Sequence, residues 1–437
     1  MAKEPELVAR NRRLAEGGDA IAQFSLGNMY RIGYQIKADS DSAIKWLTLA
    51  ARQGHEEARE LLADMGVDWE ATAPDVITDE PVPEIVVDSL FAEEPQENPE
   101  SLLAAAKAGD AEAQVALGNA FRSGSVFPVD QQEAVRWYRL AAEQGAALGQ
   151  YALATMFDHG LGVENDSAEA KAWYTKAAQQ GFSGAQFNLG NMIFQGRGGD
   201  ADPAAAAEWF RKAAEQGDAA AHFALGALYE KGAGLPQDEP QAVKHYRDAA
   251  ERGDADAQFN LANMLREGRG TAADPGEAAS LYRRAGEQGL AAAQLNYGLM
   301  LATGQNVQRN DTVAARWLLK AAEQGERRAQ YFLATFYEQG RGVERDFAAA
   351  CTWYRRAAEQ GDPRAQYDLA VYYAAGNGVP VDLVEAHVWL SLAADSDDAE
   401  VVAAANNALH AIVAQLDAAA LAEAEARRAA RKPGAAS

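Results

Sequence analysis

Residues 326–361 read Glu326-Arg-Arg-Ala-Gln-Tyr-Phe-Leu-Ala-Thr-Phe-Tyr-Glu-Gln-Gly-Arg-Gly-Val-Glu-Arg-Asp-Phe-Ala-Ala-Ala-Cys-Thr-Trp-Tyr-Arg-Arg-Ala-Ala-Glu-Gln-Gly361. In the first half Ala329, Leu333, Phe336 and Tyr337 recur at steps of three and four, the period of an amphipathic helix. Gly340 stands where a left-handed C-cap is wanted, and Gly342 falls in the turn. In the second half Ala350, Trp353, Tyr354, Ala357 and Ala358 make another apolar stripe, which Gly361 ends. The stretch is therefore helix, turn, helix, turn.

It recurs along the chain. Trp137, Trp173, Trp209, Trp317, Trp353 and Trp389 are separated by multiples of thirty-six residues, with His245 and Leu281 at the two remaining steps. Gly145, Gly181, Gly217, Gly253, Gly289, Gly325 and Gly361 keep the same step, and Trp46 with Gly54 is a further copy out of phase. A fixed period of this size marks one supersecondary unit stacked on itself. The expected fold is all-α, an α/α solenoid of about ten helix-turn-helix repeats of 36 residues. In such an array each unit packs only on its neighbours, so the 437 residues add units instead of separate cores.

On these residues the chain resembles the Sel1-like repeat family, relatives of the tetratricopeptide repeats. The shared pattern is Ala329-Gln330, Leu333, Tyr337, Gly340-Arg341-Gly342-Val343, Asp346, Ala350, Trp353-Tyr354 and Ala357 to Gly361. Ala334 departs from it, standing where the family usually has glycine. The resemblance implies a superhelix working as a bacterial-type adaptor or scaffold, with no enzyme activity and no cofactor.

Register divides the chain into four parts. Residues 1–64 hold a capping helix (Leu7 to Gly18), a first repeat and the first helix of a split repeat. Residues 65–98 interrupt that repeat, and 99–397 carry the main array. Residues 398–437 supply capping helices and a short basic tail. There Val401, Val402, Ala405, Leu409, Ile412, Val413 and Leu416 make one more apolar face, and Asp417 is a candidate N-cap.

From Asp64 to Glu100 there are twelve acids and no Lys or Arg, half of the net charge of −24. Such a composition cannot bury enough surface to offset its ordering entropy and reads as disordered. Trp69 and the cluster Ile85, Val86, Val87, Leu90 and Phe91 lie within it. Three readings stay open for them: a spacer leaning on neighbouring helices, a linear docking motif, or a plug that occludes the solenoid's own groove. In the last case the protein would regulate an enzyme or signalling protein.

The acidic balance argues against nucleic acid, which is bound by dense cationic patches, and against anionic membranes. A basic or neutral protein or peptide partner remains compatible. A single cysteine, Cys351, excludes an internal disulfide. No segment has the eighteen or more apolar residues of a membrane span, and the N-terminus lacks the apolar core of a secretion signal. Cytoplasmic residence is the default expectation.

Candidate contacts lie on the first helices, expected to line the concave face. Asn28, Asn119, Asn188, Asn191, Asn260, Asn263 and Asn296 cluster there, the two pairs three residues apart on one helix side. An asparagine amide can hold a peptide backbone without reading side chains. The competing account is that these amides bond to neighbouring helices or water. Phe187, Phe223, Phe259, Tyr331 and Tyr367 read as inter-helix packing. His222 and His245 replace the repeat's usual Gln and Trp, and drift of the repeat explains them better than a metal site. The Gly-x-Gly turns follow helices, so capping accounts for them. Cys351 reads as a small packing residue, and nothing assembles a nucleophile with a base.

Overall fold

The computed structural model describes residues 26, 30, 40–52, 58, 62 and 99–431. The expected cap at Leu7–Gly18, Asn28, Trp69 and the whole 65–98 segment lie outside the described residues. The chain divides into two units, 1–92 and 93–437. In the first, helix α1 (Ser40–Arg52) buries Leu47, Ala50 and Ala51 in a cluster with Ala58 and Leu62.

The described part of the second unit holds nineteen helices and no strand. It begins with α2 (Pro99–Lys107). Eight helix pairs follow. Their first helices are α3 (Ala111–Ser123), α5 (Ala147–His159), α7 (Ser183–Gln195), α9 (Ala219–Lys231), α11 (Ala255–Glu267), α13 (Ala291–Thr303), α15 (Arg327–Gln339) and α17 (Pro363–Ala375). The second helices are α4 (Gln131–Glu143), α6 (Ser167–Gln179), α8 (Pro203–Glu215), α10 (Glu239–Glu251), α12 (Pro275–Glu287), α14 (Asp311–Glu323), α16 (Phe347–Glu359) and α18 (Leu383–Ala393). Each first helix packs on its own second helix, and each second helix on the next first helix. This is the α solenoid that the 36-residue period predicts.

Local chemistry sets the helix ends. Gly340 closes α15 at φ 67°, a left-handed conformation that costs glycine little. Gly342, also at φ 67°, passes so close to the start of α14 that a Cβ would run into the Asp311 carbonyl. The chain then reaches Asp346, whose carboxylate accepts from the Ala348 and Ala349 N–H groups at 2.8 and 2.9 Å and caps α16. Ala329, Leu333 and Phe336 of α15 and Ala350, Tyr354, Ala357 and Ala358 of α16 are buried. Burying a leucine such as Leu333 stabilises by about 1.5–3 kcal/mol.

The array ends in α19 (Ala399–Val413) and α20 (Ala418–Arg431). Val401, Ala405 and Ile412 are buried as the apolar pattern predicts, but Val413 stays exposed. Asp417 caps α20, its carboxylate accepting from the Ala420 N–H at 2.8 Å. Three arginines of this end are paired with acids of the array. Arg427 and Arg431 each donate to Glu385 at 2.7 Å, and Arg428 donates to both oxygens of Asp395 at 2.8 and 2.9 Å. Burial pushes the Glu385 carboxyl up, but Arg431 and Arg427 together outweigh it and hold it below its ordinary value.

Candidate interaction surface

The fifth residue of each first helix packs against the eighth residue of its second helix. Phe187 meets Phe210, Phe223 meets Tyr246, Phe259 meets Tyr282 and Tyr331 meets Tyr354, all at 5.8 Å between ring centres. Tyr367 packs on the C-terminal core. These aromatics hold the helix pairs together, as expected from their spacing.

The asparagines occupy the sixth and ninth positions of the same helices and meet the tyrosine hydroxyls. Tyr138 donates to Asn119 at 2.7 Å and Tyr282 donates to Asn263 at 2.6 Å. Asn188 donates to Tyr174 at 3.3 Å and, more weakly, to Tyr151 at 3.5 Å. Asn260 and Asn296 sit beside the hydroxyls of Tyr246 and Tyr282. Burial is the main cause that raises the Tyr138 hydroxyl to about 12, so it stays a proton donor. Five of the seven asparagines are thus engaged with the scaffold. Asn191 differs, because its second helix carries Phe210 and offers no hydroxyl. The Asn191 side chain makes no hydrogen bond to the described residues, and one turn later Phe194 is 40% exposed.

A second polar ladder was hidden in the repeat pattern. The buried glutamine at the fourth position donates to a carbonyl eight residues back, as Gln330 does to Ala322 at 3.1 Å. Its oxygen accepts from a glutamine thirty residues on, as from Gln360 at 2.8 Å. The same pair of bonds recurs at Gln114, Gln150, Gln186, Gln258 and Gln294. Without the ladder each buried amide would be left unsatisfied, at a cost of about 1–3 kcal/mol.

At Gln366 only the carbonyl bond is present, because Ser396 stands where the partner glutamine would be, and in one repeat the buried glutamine itself is replaced. There His222 replaces the glutamine and Arg252 its partner. The fold brings His222 and His245 together, their Nδ1 atoms 3.1 Å apart, with Asp248 Oδ2 3.7 Å from His222 Nδ1. Sequence spacing understated this cluster, since Asp248 stands three residues after His245 on the same helix face. Tyr229 stacks on His245 at 5.6 Å. Burial lowers both imidazoles, and the His222 ring adds to the effect on His245, which falls to about 4. Both rings are neutral near pH 7.

A carboxylate pair forms farther along. Tyr354 donates to Glu338 at 2.9 Å, and Asp368 lies nearby beside Tyr331. Burial, then the charge of Glu338, pushes Asp368 up to about 6. Cys351 is buried and its thiol is raised by that burial, consistent with packing.

The Sel1 repeat matches residues 20–55, 111–145, 147–182, 183–218, 219–254, 255–290, 291–326, 327–362 and 363–398. The chain belongs to the Sel1 repeat family. Two solved Sel1 relatives share the architecture over most of their length. One is a protective antigen present in uropathogenic Escherichia coli strains, 29% identical, with 97% of this chain and 94% of that chain covered and a TM-score of 0.50. The other is a Sel1 repeat protein from Oxalobacter formigenes, 31% identical, with 76% and 97% covered and a TM-score of 0.53. No curated protein matches the chain. Sel1 repeats generally mediate protein–protein interaction and generally do so without catalysis. Among the described residues of this Sel1 protein no helix is long and apolar enough to cross a membrane.

Proposed function

We propose that this Sel1 protein is a non-enzymatic scaffold that holds a segment of a protein partner along the concave side of its first helices. The carrying observation is Asn191 with Phe194, a free amide beside an exposed aromatic on one helix side. The amide offers a donor and an acceptor to a peptide backbone, and the ring offers apolar area. Variation within the repeat supports the reading. The fourth and seventh positions of the first helices are near-constant buried Gln and Leu, whereas the ninth, where Asn191 stands, runs through Asn, Thr, Ala, Leu and Val. A rigid array of this kind lowers the entropy cost of capturing an extended segment.

The acidic stretch 65–98 serves as a second contact that attracts a basic partner over long range. The test is co-purification of the partner on the full chain, followed by affinity measurement with Asn191→Arg, Phe194→Ala and a 66–98 deletion. The reading expects weaker binding from the two point variants at any salt, and a slower, salt-dependent association from the deletion. Unchanged affinity in both point variants removes the proposed contact site, and unchanged association rates at low salt remove the role of the acidic stretch.

A further inference from the structure

Three departures from the repeat meet at one point. The fourth position of the first helix is Gln in every other repeat of the 111–398 array and His222 in this one. The seventh position of the second helix is Trp in six of the eight repeats and His245 here. Three residues after that tryptophan a cation usually lies over the ring, as Lys176 lies over Trp173 at 3.5 Å and Arg356 over Trp353 at 4.5 Å. In this repeat the residue is Asp248, a charge of opposite sign. Loss of a tryptophan alone, as at Leu281, brings no histidine and no carboxylate. Drift would have no reason to place all three on one spot.

We propose that His222, His245 and Asp248 form a binding site for a divalent transition-metal ion of the zinc type. The donor set is two imidazoles and one carboxylate, which suits zinc and its neighbours better than magnesium or calcium. Their ligand atoms all lie within 4.8 Å of one another. A tetrahedral ion with bonds of about 2.0–2.1 Å holds its ligand atoms about 3.3 Å apart. Two of the three separations, 3.1 Å for the two Nδ1 atoms and 3.7 Å from His222 to Asp248, bracket that value. The third, from His245 to Asp248, lies within 4.8 Å, so the Asp248 side chain closes on the ion as it binds.

The surroundings orient the ligands. The Ala214 carbonyl, eight residues back, lies beside the His222 ring, at the place where the glutamines of other repeats bond. With Nδ1 turned to His245, this leaves Nε2 for the Ala214 carbonyl and puts the His222 lone pair on Nδ1. A hydrogen bond that fixes the tautomer of a ligating histidine in this way is the usual outer-shell device of metal sites. His245 stacks on Tyr229 and takes its Nε2–H tautomer when its Nδ1 binds the ion. The protein then supplies three ligands, and water takes the fourth position. The ion ties α9 to α10 at the one repeat of the 111–398 array whose buried glutamine is replaced.

The repeat itself supplies the test, because His222→Gln, His245→Trp and Asp248→Lys each restore what other repeats hold. The full chain, stripped of metal, is titrated with Zn2+ by calorimetry and with Co2+ by visible absorption. One ion per chain is expected, with the intense Co2+ bands of four-coordination and a rise in the melting temperature. Each of the three substitutions is expected to weaken uptake at least about tenfold with helical circular dichroism unchanged, whereas His159→Gln at an exposed histidine leaves it intact. Absence of uptake by the unaltered chain overturns the proposal. So does uptake that all three substitutions leave unchanged.

Discussion

The Tyr282 hydroxyl donates to the side-chain oxygen of Asn263 across 2.6 Å, linking the two helices of one repeat. That bond turns an asparagine that looks like a peptide contact into part of the scaffold. Tyr282→Phe should raise local opening of α12 by about 0.5–1.5 kcal/mol, the net worth of an ordinary hydrogen bond. Amide hydrogen exchange checks this better than a global melt, because a repeat array opens unit by unit. Unchanged protection in α11 and α12 would show that the bond contributes nothing.

Gln330 satisfies the Ala322 carbonyl and receives the Gln360 amide. Gln330→Ala removes both of these bonds, although the Ala322 carbonyl keeps the Gly325 N–H and the Gln360 amide keeps the Gly325 carbonyl. The two lost hydrogen bonds should cost about 1–3 kcal/mol together. Gln360→Ala should cost less, since Gln360 is exposed and water can replace it. Equal losses in urea unfolding would contradict the ladder.

Asp368 has a folded-state value of about 6 against an ordinary 3.8. The folded protein therefore binds this proton more tightly, so stability is fully present below about pH 4 and falls as pH rises through about 6. Asp368→Asn, which installs the residue found at the same position in three other repeats, should stabilise the protein by about 1–2 kcal/mol at pH 7. The gain should vanish below about pH 4. Melting curves at pH 7 and pH 3.5 measure it, and an equal effect at both values would exclude titration of Asp368 as the cause.

Glu385 has the opposite sign, because its carboxyl is held below its ordinary 4.5. Its contribution is present above about pH 4.5 and is lost as pH falls through the depressed value. Glu385→Gln removes the charge that Arg427 and Arg431 share and should loosen α20 at neutral pH. Trypsin should then cut sooner at Arg427, Arg428 and Arg431. Cleavage no faster than in the unaltered chain would mean that packing alone docks the helix.

Much of the fold was legible in one stretch, residues 326–361, because apolar period, glycine caps and aspartate caps are local chemistry. Gly340 caps its helix as its position suggests, and so does Asp417 at the far end of the array. The site was less legible. Asn188 and Asn191 look alike in sequence, yet only the first meets a tyrosine hydroxyl, because residue 210 is Phe while 174 is Tyr. Finding that required knowing that the ninth residue of a first helix faces the eighth of the second.

The sequence by itself determined the helices, their thirty-six-residue step and their order of stacking, since those follow from periodicity and from turns that admit few conformations. Only the tertiary structure decided which polar groups are free and which are consumed. His222 and His245 are twenty-three residues apart along the chain but 3.1 Å apart in space. The physical reason is that the rotation of each helix about its axis, set by packing against two neighbours, chooses which side chains meet. No local pattern encodes that rotation.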